Sequence, residues 1–333
     1  MIPDISVIVV ARNESTHIAD CIMSLLAQDY PADKYELIIV DSMSDDDTQS
    51  IARETHMAYL RQLDCHQSPV KVSFLENQKI NLASGWNAAI RASRGQYVIR
   101  LDAHAQAYPN LLSSSLEAIL SKPDCACVGG TIQTISTSTK GRLIASVLSS
   151  PFGVGNSKFR YTSTGQYVDT VAFGLYRKIV FDQIGYFDET LERNQDNDLH
   201  SRLRKAGWKF YLIPEVLSMY HSRSTIRALM KQGFGNGKWG IIVSRRTPGA
   251  MAIRHLVPMF FLLTLLTCVV TGCFTYWGWI AFGLILLAYC SVGLVANIMS
   301  NRVSDSLRML PIALLFHCAY GIGSLTGVFN PFQ

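Results

Sequence analysis

The chain has 333 residues, of which 49% are hydrophobic, and its 30 Lys and Arg against 25 Asp and Glu give a formal net charge of +5. This length allows one large domain or two with a sizeable core. The charges are unevenly placed, because residues 255–301 and 309–333 contain no Asp, Glu, Lys or Arg. Such long uncharged blocks argue against a wholly water-soluble protein, since part of each would have to meet water.

The N-terminal part alternates strand-like and helix-like segments. The first strand is a nearly continuous β-branched run, which is typical of a parallel strand buried on both faces. The alternation predicts an α/β domain with a mostly parallel sheet, whose ligands bind beyond the carboxyl ends of the strands. The predicted elements, in chain order, are a strand over 5–11, a helix capped by Ser15 and running to Leu26, strands over 36–40, 71–75 and 97–101, and a helix over about 81–92.

Two predicted strands end in side chains that can bind a ligand. Asp41 ends the second strand, where it can accept a hydrogen bond from a nucleotide or, equally well, cap a helix. Asp102 and His104 follow the fourth strand, and residues two apart in an extended segment point to the same side, so both can bind one divalent metal. A polar turn is the alternative for this pair. The first strand leads into Ala11-Arg12-Asn13-Glu14 without the G-x-G-x-x-G pattern, which argues against a nicotinamide-dependent oxidoreductase.

The middle of the chain is less regular. Residues 131–150 are rich in Ser and Thr and lead into the glycine-bearing stretch 151–156. Both stretches predict loops, on the side of the domain where a second substrate, the acceptor, would bind. Helical character returns over 196–205, and Gly207 can close that helix in the left-handed conformation.

The uncharged blocks predict three membrane-spanning helices, because a bilayer core of ~30 Å needs about 20 apolar residues. Before them, residues 222–254 carry seven basic residues and no acidic one, interleaved with apolar side chains. This mixture is typical of a segment lying on anionic lipid, and the adjacent spans favour it over the alternative, a nucleic-acid groove. The predicted regions are a catalytic domain over 1–221, an interfacial segment over 222–254 and a membrane region over 255–333, with spans near 256–274, 277–298 and 309–329.

Basic residues flank the predicted spans unevenly. Arg245, Arg246 and Arg254 precede the first span, and Arg302 and Arg308 flank the loop between the second and third. The positive-inside rule then predicts that the N-terminal domain and this loop lie in the cytoplasm, with residues 330–333 on the far side of the membrane. The eight cysteines fit a reducing compartment and are interpreted as small buried apolar residues.

Five motifs occur along the chain in the order Val9–Glu14, Val40–Thr48, Arg100–Ala105, Phe152–Ser157 and Asn194–Leu199. Together they resemble family 2 glycosyltransferases of the GT-A fold, and within them the ExoA type of membrane-attached glucosyltransferase in succinoglycan synthesis. The resemblance runs from Ser6 to about Gly240 and implies a Rossmann-like domain that binds a nucleotide sugar.

The resemblance implies a nucleotide-sugar site at the strand ends. Asp41 would accept a hydrogen bond from the uracil ring of a UDP-sugar. Lys79 and Asn87 are weaker candidates for donor contacts, with a solvated lysine and a helix-face asparagine as the alternatives. The implied nucleotide-sugar contacts are Ala11, Asn13, Glu14, Asp41, Lys79, Asn87 and Asp102.

The same resemblance implies a metal site. Asp102 and His104 correspond to the D-x-D motif of the family, in which Mg²⁺ or Mn²⁺ neutralises the departing diphosphate. Because His replaces the second carboxylate, Mn²⁺ suits the site better than Mg²⁺. In relatives with a D-x-H motif a later histidine completes the metal ligands. His221 is the corresponding candidate here, with an ordinary surface histidine as the alternative.

Asp196 is the candidate catalytic base. In the family an acidic pair opens a helix near the acceptor, and here Gln195 replaces the first acid, which leaves Asp196 as the matching carboxylate. Asp198 is a nearby acid that could raise the pKa of the base. Stabilisation of a helix N-terminus is the alternative for both acids. A single base without a nucleophile implies an inverting displacement, in which an α-linked UDP-sugar gives a β-glycoside.

The predicted acceptor follows from the membrane region. A cytoplasmic transfer domain tethered to lipid suits a sugar carried on a polyprenyl diphosphate, as in the assembly of exopolysaccharide or another surface glycan. Residues 232–236 lack the Arg-Trp pair of the Q-x-x-R-W motif of processive synthases. The chain is therefore predicted to transfer a single hexose, and the resemblance implies that this hexose is glucose. No nucleic-acid partner is predicted. The alternatives are a polyprenyl-phosphate sugar synthase and a catalytically inactive membrane scaffold.

Overall fold

The computed structural model describes residues 2–136, 138–155, 157–222, 225–298 and 303–330. They divide into an α/β unit, Met1–Gln133 with Thr162–His221, and a helical unit, Thr134–Tyr161 with Ser222–Gln333. Asn156 of the fourth motif, Arg223 of the basic segment, Arg302 and residues 331–333 of the tail lie outside the described residues.

The strands and helices alternate through the first half of the chain, and the last third is helical. The strands are β1 (Ile5–Ala11), β2 (Tyr35–Asp41), β3 (Lys71–Glu76), β4 (Tyr97–Asp102), β5 (Ala105–Ala107), β6 (Cys125–Ile135), β7 (Gln166–Val168), β8 (Leu175–Arg177) and β9 (Lys209–His221). The helices are α1 (Ile18–Leu26), α2 (Thr48–Gln62), α3 (Leu82–Ala92), α4 (Leu111–Ser121), α5 (Thr139–Leu148), α6 (Pro151–Val154), α7 (Ile179–Ile184), α8 (Gln195–Lys205), α9 (Ile226–Arg246), α10 (Val257–Gly272), α11 (Tyr276–Ile298) and α12 (Val303–Phe329).

The α/β unit is built on one mixed sheet in the order β3-β2-β1-β4-β8-β6-β9-β5, with β7 paired to β9. The first four strands in this order are parallel, and β8 joins β4 in the antiparallel sense. Every residue of β1 is buried, as the β-branched run predicts for a strand covered on both faces. The predicted α/β architecture is confirmed, and the register places Asp41 opposite Ala11 and Asp102 opposite Val10.

The helix boundaries depend on their capping residues. Asn81 caps α3, since its side chain accepts a hydrogen bond from the Ser84 N–H at 2.7 Å. The prediction that Ser15 caps the first helix is wrong, because α1 begins later, with His17 at the cap position. The Ser15 N–H instead donates to Asp46 Oδ2 at 3.2 Å, so this residue ties two loops together.

Residues 134–161 belong to the helical unit. The loops predicted for this region are wrong, because β6 continues to Ile135 and two helices, α5 and α6, follow it. The apolar side chains of α5 recur at helical spacing and are buried. They pack in one cluster with residues of α9 and α12, whose buried members are Ile144, Val147, Leu148, Leu229, Met309, Ile312, Ala313 and Phe316.

Helices α9 and α12 run side by side in the same direction. A Cβ at Gly237 would lie 2.1 Å from the Tyr320 carbonyl oxygen, so only glycine permits this approach of the backbones. Near the end of both helices, Arg245 donates to the Gly327 and Val328 carbonyl oxygens at 3.3 and 2.6 Å. The positive-inside rule predicts that Arg245 lies in the cytoplasm, and three spans would put the end of α12 on the far side of the bilayer. The contact between Arg245 and the end of α12 contradicts this combination.

Within the part of the chain that the structure describes, three helical segments are long and apolar enough to cross a membrane: Ile253–Gly272, Tyr276–Ala296 and Asp305–Phe329. They agree with the predicted spans to within a few residues. The first two expose most of their apolar side chains, whereas a larger share of the third is buried. Helix α12 therefore serves partly as the core of the helical unit.

Candidate active site

The loops after β1 and β2 are tied together at the carboxyl edge of the sheet. Asn13, which has a left-handed backbone (φ 56°), donates its N–H to Ser44 Oγ at 3.0 Å and accepts from the Asp45 N–H at 2.9 Å. The Glu14 N–H donates to Thr48 Oγ1 at 2.8 Å. The first motif therefore shapes the edge of the site through its backbone as well as its side chains.

Asp41 lies at this edge with its carboxylate fixed by one neighbour. Its two oxygens accept from the N–H and hydroxyl of Ser44 at 3.1 and 2.6 Å. The helix-capping alternative for Asp41 is wrong, because α2 begins at Thr48 with Asp47 at the cap position. A small, largely apolar pocket adjoins Asp41 and is lined by Ala11, Ile39, Asp41, Thr48, Gln49, Ala52, Phe74 and Leu75.

Asp102 ends β4, on the other side of β1 from Asp41, and His104 follows it by two residues. The Asp102 carboxylate is partly exposed and makes no hydrogen bond or ion pair within the described part of the chain. His104 Nδ1 lies 3.0 Å from Glu14 Oε1. A carboxylate on one ring nitrogen of a histidine fixes the ring and its tautomer, as in many metal sites. Glu14 therefore faces His104 directly.

His221 ends β9 beside His104. Its N–H lies 3.4 Å from the His104 carbonyl oxygen, and its Nε2 atom is buried without a hydrogen-bond partner among the described residues. The ring stacks on that of His17 with centroids 4.8 Å apart. Burial lowers the pKa of His221, and His17 and His104 add to this effect while Asp20 opposes it. The neutral imidazole, the form that binds metals, is therefore favoured.

The side chains of Asp102, His104 and His221 at this edge of the sheet are of the types that bind a divalent metal. A carboxylate and imidazoles are the mixed oxygen and nitrogen ligands that Mn²⁺ accepts. Among residues 2–136, 138–155, 157–222, 225–298 and 303–330, no three His, Cys, Asp or Glu side chains are close enough to form a complete metal site. Metal binding would therefore require Asp102, His104 and His221 to converge.

Helix α8 presents Asp196 in its first turn. Asn194 precedes the helix in the left-handed conformation (φ 60°), and the buried Gln195 amide donates to the Leu191 carbonyl at 2.8 Å. Asp196 is partly exposed, and one of its oxygens accepts from the Asn197 N–H at 2.9 Å. Gln195 therefore supports the turn, and the Asp196 carboxylate remains partly exposed to solvent.

Asp198 has a different role from the one expected. Its buried carboxylate pairs with Arg202, whose Nη2 lies 2.9 Å from Asp198 Oδ2. Arg202 therefore offsets the charge through which Asp198 was expected to act on the base.

Lys79 and Asn87 both contact Glu189. Lys79 Nζ lies 2.7 Å from Glu189 Oε2, with the lysine largely exposed. Asn87 is buried, and its amide donates to Glu189 Oε1 and to the Phe187 carbonyl oxygen, each at 2.9 Å, and accepts from the Phe187 N–H at 3.0 Å. Asn87 thus holds the segment before α8 in place, while Lys79 remains able to reach solvent.

Sequence reasoning missed a buried polar cluster behind these residues. Arg100, two residues before Asp102 on β4, lies with its guanidinium carbon 4.0 Å from the Trp86 ring centroid. Tyr176 and His200 hydrogen-bond beside it at 2.6 Å. The signal in the sequence was an arginine inside an otherwise apolar strand, since a buried charge requires specific partners.

One solved structure and two relatives are similar to this chain. A chain from Pyrobaculum calidifontis, "Mannosyltransferase PcManGT in complex with GDP-Man and Mn2+", superimposes with a TM-score of 0.60 over 98% of this chain and 87% of its own length, at 16% identity. This likeness shows the GT-A fold. The succinoglycan biosynthesis protein ExoA of Rhizobium meliloti (strain 1021) is 28% identical over 76% of this chain and 74% of its own.

A further relative matches nearly end to end. The dolichyl N-acetyl-alpha-D-glucosaminyl phosphate 3-beta-D-2,3-diacetamido-2,3-dideoxy-beta-D-glucuronosyltransferase of Methanococcus voltae is 28% identical over 97% of both chains. The family model described as Glycosyl transferase family 2 matches residues 6–185, more than half of the chain. The protein therefore belongs to glycosyltransferase family 2 and is a glycosyltransferase.

Proposed function

We propose that the protein is an inverting, metal-dependent and non-processive hexosyltransferase, which moves a sugar from a UDP-sugar to a lipid-linked sugar at the cytoplasmic face of a bacterial inner membrane. One observation carries this proposal. Asp41 and Asp102 end the two strands that flank β1, opposite Ala11 and Val10. Two strand spacings place their backbones about 10 Å apart, a separation that suits the base and the diphosphate of one nucleotide.

Asp41 and the pocket beside it would bind the nucleotide base. The carboxylate would accept a ring N–H, and the pocket, which has room for about one water molecule as it stands, would have to widen for the base to lie against Phe74 and Leu75. Ala11 and Asn13 shape the edge through their backbones, and Lys79 would approach the phosphates by leaving Glu189. Both uracil and guanine offer a ring N–H to a carboxylate. The P. calidifontis structure contains GDP-Man, so the transfer assay below compares uridine and guanosine nucleotide sugars.

Asp102, His104 and His221 would hold the metal. Asp102 offers a carboxylate without a competing hydrogen bond, and Glu14 orients the His104 ring. When bound, Mn²⁺ or Mg²⁺ neutralises charge on the diphosphate as it departs. Two histidines favour Mn²⁺ over Mg²⁺, which prefers oxygen ligands.

Asp196 would remove the proton from the acceptor hydroxyl. Its oxygen that accepts from Asn197 is held by the helix, and the other oxygen can accept a hydrogen bond from the substrate. The acceptor oxygen then attacks the anomeric carbon from the face opposite the diphosphate, which inverts the configuration. Proton transfer of this kind contributes roughly 10²- to 10⁴-fold to the rate.

A lipid-linked sugar is the proposed acceptor. The name of the M. voltae relative describes an acceptor that carries N-acetylglucosamine on dolichyl phosphate. The apolar helices and the basic residues of α9 would hold this chain at the membrane where such a lipid resides. A polyprenyl diphosphate carrier and glucose as the donated hexose follow the resemblance to the ExoA type. A synthase that glycosylates polyprenyl phosphate itself is the competing enzyme.

The test uses the full-length protein in proteoliposomes made with native lipid extract. Radiolabelled UDP-glucose, UDP-galactose, UDP-N-acetylglucosamine and GDP-mannose are offered with Mn²⁺ or Mg²⁺, and label in the lipid phase is measured. We expect transfer from a UDP-sugar to glycosylated lipid and little to polyprenyl phosphate alone. A protein that neither binds UDP nor transfers any sugar would instead be an inactive scaffold.

Two substitutions test the assigned residues. Asp196→Asn is expected to lower transfer by roughly 10²- to 10⁴-fold with UDP binding retained, because only the base is lost. Asp102→Ala is expected to weaken metal-dependent UDP binding. Asp182→Asn, an exposed acid on α7, is the matched control and should transfer normally. Normal turnover by Asp196→Asn would remove Asp196 from the mechanism.

A further inference from the structure

His317 lies near the middle of α12 and joins two other helices of the helical unit through its ring. Its Nε2 atom is 3.2 Å from the Gly153 carbonyl oxygen of α6, and its Nδ1 atom is 2.9 Å from the Tyr289 hydroxyl of α11. Because a carbonyl oxygen can only accept, Nε2 carries the proton and Nδ1 accepts from the tyrosine. A histidine among candidate membrane spans is costly without such partners and usually marks a functional site.

Phe152 packs into a notch between α11 and α12. Its ring centroid lies 4.9 Å from that of Tyr289 and 5.6 Å from that of His317. A Cβ at Gly293 of α11 would lie 2.9 Å from the Phe152 ring, so glycine at this position leaves the room that the ring needs. Phe152 begins the fourth sequence motif, to which the proposed function gives no role. The structure fastens this motif to α11 and α12.

The chain around α6 forms a closed loop, which we call the α6 turn and define as residues 150–155 and 157–161. The Tyr161 hydroxyl donates to the Gly155 carbonyl oxygen at 2.9 Å and closes the loop. Gly155 has a left-handed backbone (φ 59°), a conformation that favours glycine. Lys158 and Arg160 lie within the closed loop. The α6 turn therefore holds two cations beside the membrane helices.

Positive charge dominates the helical unit. Its sequence contains thirteen Lys and Arg residues and a single acid, Asp305. Phe316, next to His317, contacts the basic helix α9, since a Cβ at Gly233 would lie 2.9 Å from the Phe316 ring. The α6 turn is thus fastened at the level of α9. Phosphate groups are anions that Lys and Arg bind well, through charge-assisted hydrogen bonds.

Apolar surface adjoins the same turn. Phe261 of α10 stacks on Tyr289 with ring centroids 5.0 Å apart, so a row of aromatic rings leads from Phe152 to the hairpin of α10 and α11. Most of the apolar side chains of that hairpin are exposed. A ligand that combines phosphate groups with a long apolar chain would contact both the cations of the turn and this surface.

We propose that the α6 turn binds the diphosphate of the polyprenyl carrier, with Lys158 and Arg160 contacting the phosphates and the isoprenoid chain lying against the hairpin of α10 and α11. His317 is the positioning residue that fastens the turn to the helices. The inference rests on the proposed function and names the binding site of its acceptor. A sugar-linked diphosphate carries two negative charges and the head group of phosphatidylglycerol carries one, so a turn with two cations favours the diphosphate.

The experiment measures equilibrium binding of radiolabelled polyprenyl diphosphate to the full-length protein in phosphatidylcholine nanodiscs, without a sugar donor. Lys158→Gln combined with Arg160→Gln is expected to weaken binding at least about tenfold, because two charge-assisted contacts are lost. Arg61→Gln combined with Lys71→Gln removes two exposed cations from the α/β unit and is the matched control. This control should bind like the wild type. Equal binding by the two double variants would overturn the proposed site.

Competition identifies the ligand. Unlabelled polyprenyl diphosphate should displace the label, and phosphatidylglycerol or inorganic phosphate at the same concentration should not. Displacement by phosphatidylglycerol would make the turn a general site for anionic lipid, and displacement by inorganic phosphate would make it a site for phosphate alone. Either result would overturn the proposal.

The role of His317 is tested by steady-state kinetics. His317→Phe is expected to raise the acceptor KM about tenfold with the donor KM changed less than about twofold, because only the α6 turn loses its attachment. His317→Gln can still donate to the Gly153 carbonyl oxygen and should recover most of the acceptor KM. Donor and acceptor KM values that rise together in a stable His317→Phe protein would overturn the positioning role. If His317→Phe has lost thermal stability, the variants at Lys158 and Arg160 decide the question.

The outcomes remain distinct from those of the proposed function, because binding is measured without a donor. A wild-type protein that binds polyprenyl diphosphate but transfers no sugar overturns the proposed function and supports the site. An active wild type whose double variant at Lys158 and Arg160 binds and transfers normally overturns only the site.

Discussion

His200 makes the stability of the α/β unit depend on pH. Its ring is fully buried, and the hydroxyls of Tyr176 and Thr170 hydrogen-bond its two nitrogens. Burial lowers the pKa of His200 well below its ordinary value, and the positive charges of Arg100 and Arg204 lower it further. Protonation would place a second buried cation beside Arg100. We therefore expect acidification to destabilise the folded protein through this residue.

The sign and size follow from proton linkage. Because the folded state disfavours the proton, the unfolded state binds more protons below the ordinary histidine pKa of about 6.5. The contribution of His200 is complete above that pH and is lost as the pH falls below it. With His200 neutral in the folded state at pH 5, the loss of unfolding free energy between pH 7 and pH 5 is about 2 kcal/mol. This corresponds to about 4–8 °C in Tm for a domain of roughly 200 residues.

The assay is thermal unfolding of the full-length protein in detergent at pH 7, 6 and 5, followed by tryptophan fluorescence. His200→Gln keeps two polar ends but cannot titrate, so its Tm should fall about 4–8 °C less than that of the wild type over this range. His66→Gln, an exposed histidine, is the control and should keep the wild-type pH dependence. Equal pH dependence in the wild type and His200→Gln would refute the reasoning.

Two further predictions concern the metal and the membrane. Glu14→Ala is expected to weaken Mn²⁺ binding in the presence of UDP about 10- to 100-fold, because the His104 ring loses the carboxylate that orients it. Titration with Mn²⁺, followed by electron paramagnetic resonance, measures the affinity, and the exposed Glu54→Ala is the control. An unchanged affinity in Glu14→Ala would contradict the prediction. Arg246→Cys and Phe329→Cys should react with an impermeant maleimide from the same side of the membrane, because α9 and α12 end together. The native, exposed Cys273 follows the end of α10 that is farther along the chain from Arg246, and it should react from the other side of the membrane. Labelling of positions 246 and 329 from different sides would contradict the parallel packing of α9 and α12.

The strand ends could be predicted because they depend on local patterns. A β-branched run such as that of β1 is buried wherever the sheet forms, so Asp41 and Asp102 had to lie near its carboxyl edge. The closing glycine of α8 was equally local, and Gly207 adopts the expected left-handed conformation (φ 91°). These predictions required no knowledge of distant contacts.

The contacts that sequence reasoning missed are long-range. Glu14 and His104 are 90 positions apart, and the sequence around each residue does not predict their contact. Tyr176 and His200 meet only after β8 and α8 pack together. The helices of residues 134–161 were missed for another reason. Their Ser and Thr residues suggest loops, and their apolar positions gain a partner surface only from α9 and α12.

The parallel pair of α9 and α12 limits how the helical unit can meet a bilayer. The two helices stay together from Gly233, beside Phe316, to Arg245, beside Val328, so this stretch of both has one depth. It carries Lys238, which costs about 2.5–3.5 kcal/mol at the centre of a bilayer and little among anionic head groups. Helices α10 and α11 carry no charge along their length. We therefore expect the charge on α9 to hold the paired stretch near the head groups, and the hairpin of α10 and α11 to insert most deeply.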